Sequence, residues 1–384
     1  MFRSIWAEDG WTLLCSRERG VGRCLLEPVN GYWPVFHRAY SEVVAPLPVS
    51  LWPVMLPISG AALTALLSVV LARATAPFDS PVLRGVIVFS PVMLPTLGLE
   101  FINVVGNVHW IVLMVSILHL LTVDFGAPTR RRDHVLLFLG GLSGPAGFAT
   151  IVAVLGVTIA RRVTVRRSGS VLVAAVTGFV IQATMIAVHR GDGRLGSSLD
   201  YRERAEAIAN DVLGLVPGLN ATREVPISFL SYSSAFTPVV LAVAIAFLGL
   251  LALVRARHER VRVGGAMLCT TLSISVFLAL TIDPNPRYEY VVGLLGTTAL
   301  LWMLSGASVP QRAGSVAACL LMILWLPAFG VGPFRSTGSD VGWRTQVEEA
   351  RLACDAGAAS VSLHFAPERF LEELVPCEAL FNPN

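Results

Sequence analysis

The chain has no lysine. All 29 basic residues among its 384 positions are arginine. A GxxxxGK[ST] phosphate loop is therefore excluded, HExxH and GxSxG are missing, and no GxGxxG follows a strand. ATP-driven and zinc-protease mechanisms thus lack support. The replacement of lysine by arginine itself reads as drift toward a GC-rich genome. Charge is scarce as well: 14% of residues are charged and 54% are hydrophobic, whereas soluble domains carry roughly 25% charged residues. So little charge cannot cover a water-facing surface, and the natural solvent of this chain is a bilayer. Nothing in the pattern points to nucleic acid. No CxxC pair occurs, which argues against a metal site of zinc type. Residues 1–50 lack the apolar core of a cleavable signal peptide.

Long apolar runs are what the chain does have. Helices that cross the membrane are read over 51–72, 84–99, 108–123, 134–145, 147–160, 169–188, 235–254, 264–281, 289–305 and 314–331. The expected fold is an all-α polytopic transmembrane bundle of about ten helices. Its parts are an outer acidic loop 1–50, a helical domain 51–332 with an outer loop 189–234, and a small outer C-terminal segment 333–384. The run 134–160 is broken at Gly144-Pro145, so it reads either as one kinked helix or as a hairpin pair.

Charge decides between the two. Fourteen arginines lie in the short connections on one side: Arg73, Arg84, Arg130 to Arg132, Arg161, Arg162, Arg166, Arg167, Arg255, Arg257, Arg260, Arg262 and Arg312. Short arginine-rich loops mark the cytoplasmic face. Residues 130–132 and 161–167 then share a face, and the segment between them crosses an even number of times. Both ends of the chain fall outside. An N-terminal segment of about fifty polar residues would then be translocated with no helix before it; a first helix lost upstream would resolve this. In the loop 189–234, Ala205, Ile208, Val212 and Leu213 recur at helical spacing, as in an amphipathic surface helix or an ordinary packed one.

Six cysteines occur. Cys269 and Cys319 fall in apolar runs and read as packing residues. Cys354 with Cys377, and Cys15 with Cys24, fall in the polar ends and are candidate disulfides if those ends meet an oxidising compartment.

Three segments carry possible chemistry. The first is Trp6-Ala7-Glu8-Asp9-Gly10-Trp11, followed by Gly31-Tyr32 and His37-Arg38. A carboxylate held there can accept a proton from a sugar hydroxyl; a solvated acidic turn is the plainer reading. The second runs from Glu100 through Asn103 and Asn107 to His109-Trp110. Polar groups near membrane depth usually face a cavity, although helix capping explains them equally well. The third is the turn Asp283-Pro284-Asn285-Pro286-Arg287-Tyr288-Glu289-Tyr290, in which Arg287 offers a fork-shaped phosphate donor or simply snorkels.

The ordered set of segments AEDG, GY…HR, GNVHW, LSGP, an outer RY turn and a tail with two cysteines resembles actinobacterial membrane proteins of the GT-C glycosyltransferase superfamily. That resemblance implies a polyprenyl-phosphate-linked sugar as donor, a membrane lipid setting, no resident cofactor, and metal dependence left open. It also implies Asp9 as the catalytic base with Glu8 second, and Arg287 with Tyr288 at the donor phosphate. Glu100, Asn107 and His109 line the sugar pocket, and His37 and Arg38 assist. The segment Cys354 to Cys377 forms a small outer cap. The chain departs from the pattern in lacking a helix before the acidic loop and in the shortness of its tail. A transporter or flippase for a lipid-linked solute is the alternative, but it predicts an internal repeat, and none is found. A non-catalytic assembly subunit is the other alternative, and it predicts outer acids that point to solvent.

Overall fold

The computed structural model describes residues 7–20, 22–28, 32–93, 107–125, 127–189, 247–281, 286–306, 342–365 and 371–381. The expected helix 314–331, residues 190–234 of the outer loop, residues 235–246 of the expected helix 235–254 and residue Glu100 lie outside them. The described helices are α1 (Ala7–Arg19), α2 (Val35–Val44), α3 (Trp52–Ala74), α4 (Pro81–Met93), α5 (Val108–His119), α6 (Arg131–Gly141), α7 (Phe148–Ala160), α8 (Val165–Val188), α9 (Glu259–Thr281), α10 (Pro286–Gly306), α11 (Trp343–Asp355) and α12 (Cys377–Phe381). Residues 247–255 are helical too. An antiparallel ribbon of β1 (Ser360–Phe365) and β2 (Leu371–Pro376) pairs Ser360 with Pro376 and Phe365 with Leu371.

The fold is mostly helical, as expected, and the ribbon is the departure from all-α. Its cause is local. Val361 and Leu363 alternate with Ser362 and His364, a period of two that buries one face. Three helical stretches are long and apolar enough to cross a membrane: Val49–Ala74, Arg166–Val188 and Glu259–Leu278. Pro81–Pro91, Val108–His119, Pro145–Ala160 and Val291–Ser305 are shorter apolar helices.

The bundle core gathers around α5, which is buried along nearly its whole length. The apolar run 134–160 folds back on itself. Asp133, in the first turn of α6, accepts the Arg130 N–H at 2.7 Å and caps the helix. At the far end Gly144 takes φ +77°, a conformation natural to glycine, and Pro145 opens a single 3₁₀ turn before α7. The pair packs on α8 backbone to backbone. A Cβ on Gly141 would stand 2.2 Å from the Ala175 carbonyl oxygen, and one on Gly178 would stand 2.1 Å from that of Phe138.

Arginines tie one end of the bundle together. Arg161 donates to the carbonyls of Leu121 (3.0 Å) and Val123 and pairs with Glu259 at 3.2 Å. Arg262 donates to the carbonyls of Ala160 and Arg257. Arg260 donates to the Pro77 carbonyl at 3.0 Å and reaches that of Ser305 at 3.5 Å. His119 meets Asp133 at 2.8 Å. The connections after α3, α5 and α7, the start of α6 and the end of α10 therefore share this end. Residues 107–109, the 142–147 break and the start of α10 lie at the other.

The two terminal segments share one core. Arg17 donates to four carbonyls, those of Ala379 (2.6 Å), Leu380 (2.7 Å), Ala45 (2.8 Å) and Leu47 (2.9 Å). Trp343 stacks on Trp52 at 6.5 Å and donates to the Val49 carbonyl at 3.0 Å. Disulfides join Cys15 to Cys24 and Cys354 to Cys377. Two stretches of chain that the sequence separates by the whole helical domain thus form a single cap, joined to the bundle through α3.

Candidate active site

Asp9 lies near the start of α1 as described, and His37 occupies the first turn of α2. The two helices bring the side chains together, with His37 Nε2 3.1 Å from Asp9 Oδ1. Asp9 has no solvent exposure, and His37 and Arg38 each retain 5%. A buried carboxylate needs a partner; His37 stands within ion-pair distance of it, although its Nε2 does not meet hydrogen-bond geometry. The segment expected to be an outer acidic loop is therefore a helix packed inside the cap.

The charged surroundings are built from the same two helices. Arg38 donates to the Glu27 carbonyl at 3.3 Å. Burial pulls its pKa below the ordinary arginine value, and the carboxylates of Glu27 and Glu42 work against that pull. One turn beyond His37, Tyr40 donates to the Met55 carbonyl at 2.9 Å and receives the Ser59 hydroxyl at 2.7 Å. Burial raises its pKa, the Ser59 hydrogen bond lowers it, and the nearby charge of Asp9 raises it further.

A second cluster lies where the chain leading into α2 meets the bundle. The Tyr32 ring stands 5.9 Å from that of His109, and His109 stands 5.0 Å from Trp110. A Cβ on Gly144 would come within 3.3 Å of His109 and 3.8 Å of Tyr32. The GY, GNVHW and LSGP segments thus converge on one imidazole. Beside it Asn107 is 1% exposed, and its amide nitrogen meets no hydrogen-bond acceptor. Gln182 on α8, fully buried, donates its amide nitrogen to the Trp33 carbonyl at 3.1 Å and accepts the Trp33 N–H at 3.0 Å. This amide holds the strand-like entry to α2 against the bundle.

Of the residues singled out from sequence, Asp9 and His37 pair directly, and Arg38 neighbours them. His109 and Asn107 belong to the second cluster. Glu8 sits in α1, and Arg287 and Tyr288 open α10, at the bundle end that also holds His109; only their backbone is described. Tyr40 and Gln182 join the site only in the structure, and Gly144, expected as a helix break, also lines it. Gln182 had a signal, being a lone amide within the apolar run 169–188. The Sγ atoms of Cys15 and Cys24 and the Glu27 carboxylate lie within 4.8 Å of one another. The disulfide takes up both sulfurs, so they offer no thiolate to an ion. Compared with family models, with curated proteins and with solved structures, the chain matches none.

Proposed function

We propose that this chain is a multi-pass membrane glycosyltransferase of GT-C type that moves a sugar from a polyprenyl-phosphate donor to an acceptor outside the cytoplasm. One observation carries the reading. A fully buried carboxylate, Asp9, is paired with an imidazole in a disulfide-braced cap, at the bundle end away from the clustered arginines. Disulfides belong to oxidising compartments and short arginine-rich loops to the cytoplasm, so the two signals agree on sidedness.

In this reading the acceptor hydroxyl gives its proton to Asp9 as its oxygen attacks the anomeric carbon. The bond from that carbon to the phosphate oxygen breaks at the same time, and the polyprenyl phosphate leaves with the electron pair. His37 holds the carboxylate and takes up part of its charge change. Arg287, at the start of α10, neutralises the departing phosphate. Asn107 and His109 contact the sugar. Ten crossings, with both ends of the chain outside, complete the topology.

The test is transfer from a radiolabelled polyprenyl-phosphate sugar by purified protein in lipid. Asp9→Asn keeps size and removes the base, so transfer is expected to fall by about 10²-fold or more, with insertion and elution unchanged. Full transfer by this variant removes Asp9 from the mechanism. No transfer from any such donor by the unaltered chain favours the assembly-subunit reading.

A further inference from the structure

A groove of about 520 Å³ lies between the end of α3 and the first turns of α4, at the arginine-tied end of the bundle. Its polar lining is Asp79 and Arg84, and one turn further along α4 come Val88 and Phe89. These two charges make no ion pair with each other, and their side chains make no hydrogen bond to any described residue. Both side chains are exposed, so each is open to a ligand in the groove. Gly85 forms part of the lining, and a Cβ built there meets nothing within 4 Å. Phe89 is 59% exposed, so the apolar part opens outward along the helix. Beside the groove, Arg260 lies over the Phe78 ring at 5.2 Å and is already engaged by the Pro77 carbonyl.

The lining therefore presents one cation, one anion and an apolar strip that runs from them along the outward side of α4. We propose that it binds a phosphatidylethanolamine-type phospholipid in the adjacent leaflet. Arg84 receives the phosphate, Asp79 receives the ammonium, and the first part of an acyl chain lies over Gly85, Val88 and Phe89. Charge complementarity selects this headgroup. A purely anionic headgroup leaves Asp79 facing like charge, and a trimethylated choline has no N–H to give to a carboxylate. The inference rests on the membrane reading above and not on the transferase chemistry.

Native mass spectrometry of the full chain, purified in detergent with equimolar phosphatidylethanolamine, phosphatidylcholine and phosphatidylglycerol, tests it. The unaltered chain is expected to retain phosphatidylethanolamine over both others. Gly85→Leu adds an isobutyl group at a position where a Cβ meets nothing within 4 Å, and is expected to abolish that excess. Asp79→Asn is expected to lower the preference over phosphatidylcholine by about two- to fivefold, the range for an exposed ion pair. Equal retention of the three lipids, or an excess that survives Gly85→Leu, overturns the proposal. Separately, Ala76→Cys in a background without Cys269 and Cys319 is probed with an impermeant maleimide. Labelling in inverted vesicles alone supports the assigned leaflet. Labelling from outside intact cells overturns that sidedness, while the retention data still decide whether the groove selects this headgroup.

Discussion

Asp9 and His37 illustrate how one residue gains a role from its neighbours. A carboxylate with no solvent exposure is costly unless something answers its charge, and here the imidazole of His37 stands 3.1 Å away. His37→Gln keeps a polar side chain but loses the imidazole. Its expected effect is a lower turnover with donor affinity unchanged, read as a fall in kcat at constant KM. Equal losses in kcat and in cap stability would instead mark a packing role. Arg17 is the second residue of this kind. It is 8% exposed and serves four carbonyls from both ends of the chain. Burial pulls its pKa down from the ordinary arginine value. Arg17→Met retains the stem and strands those acceptors, so a loss of about 3–5 kcal/mol is expected. Thermal unfolding followed by tryptophan fluorescence reads it, because Trp343 and Trp52 stack in the same cap. An unchanged Tm removes Arg17 as the tie.

At the scale of the element, the hairpin α6–α7 depends on glycine for contact. Gly178→Val places carbon where the Phe138 carbonyl oxygen already stands, 2.1 Å from the new Cβ. The helices must then part, and the expected outcome is loss of the monodisperse peak in size-exclusion chromatography. Gly144→Ala is milder. It forces an alanine to φ +77° and sets a methyl 3.3 Å from His109, at a cost of about 1–2 kcal/mol. A folded protein with reduced transfer is expected, since the imidazole moves first. The hairpin was legible in sequence because the Gly-Pro break and the flanking arginines are local signals. Span ends were less legible: the span read as 108–123 is the helix Val108–His119. Hydropathy counts apolar residues and does not tell a lipid-facing helix from one buried in protein, and α5 is the buried kind.

For the whole molecule, the cap closes two disulfides across loops of 9 and 23 residues. Alkylation of the denatured chain without reductant is expected to modify Cys269 and Cys319 alone, and all six cysteines after reduction. Six modified without reductant would place the cap in a reducing compartment and sink the sidedness. Cys354→Ser opens the longer loop and is expected to cost about 3 kcal/mol by loop entropy, read as a lower Tm of the cap.

What the sequence determined by itself was the apolar composition, the helical character and the grouping of arginines at one end. Hydropathy and charge are properties of each residue, and they accumulate along the chain whatever the packing. The cysteine pairs were legible too, being near in sequence. The tertiary structure alone decided that the two termini form one cap, that the acidic segment is a buried helix, and that Gln182 anchors Trp33. Arg17 and the Ala379 carbonyl are 362 residues apart. Contacts at that separation arise only when helices have packed, and no local pattern encodes them.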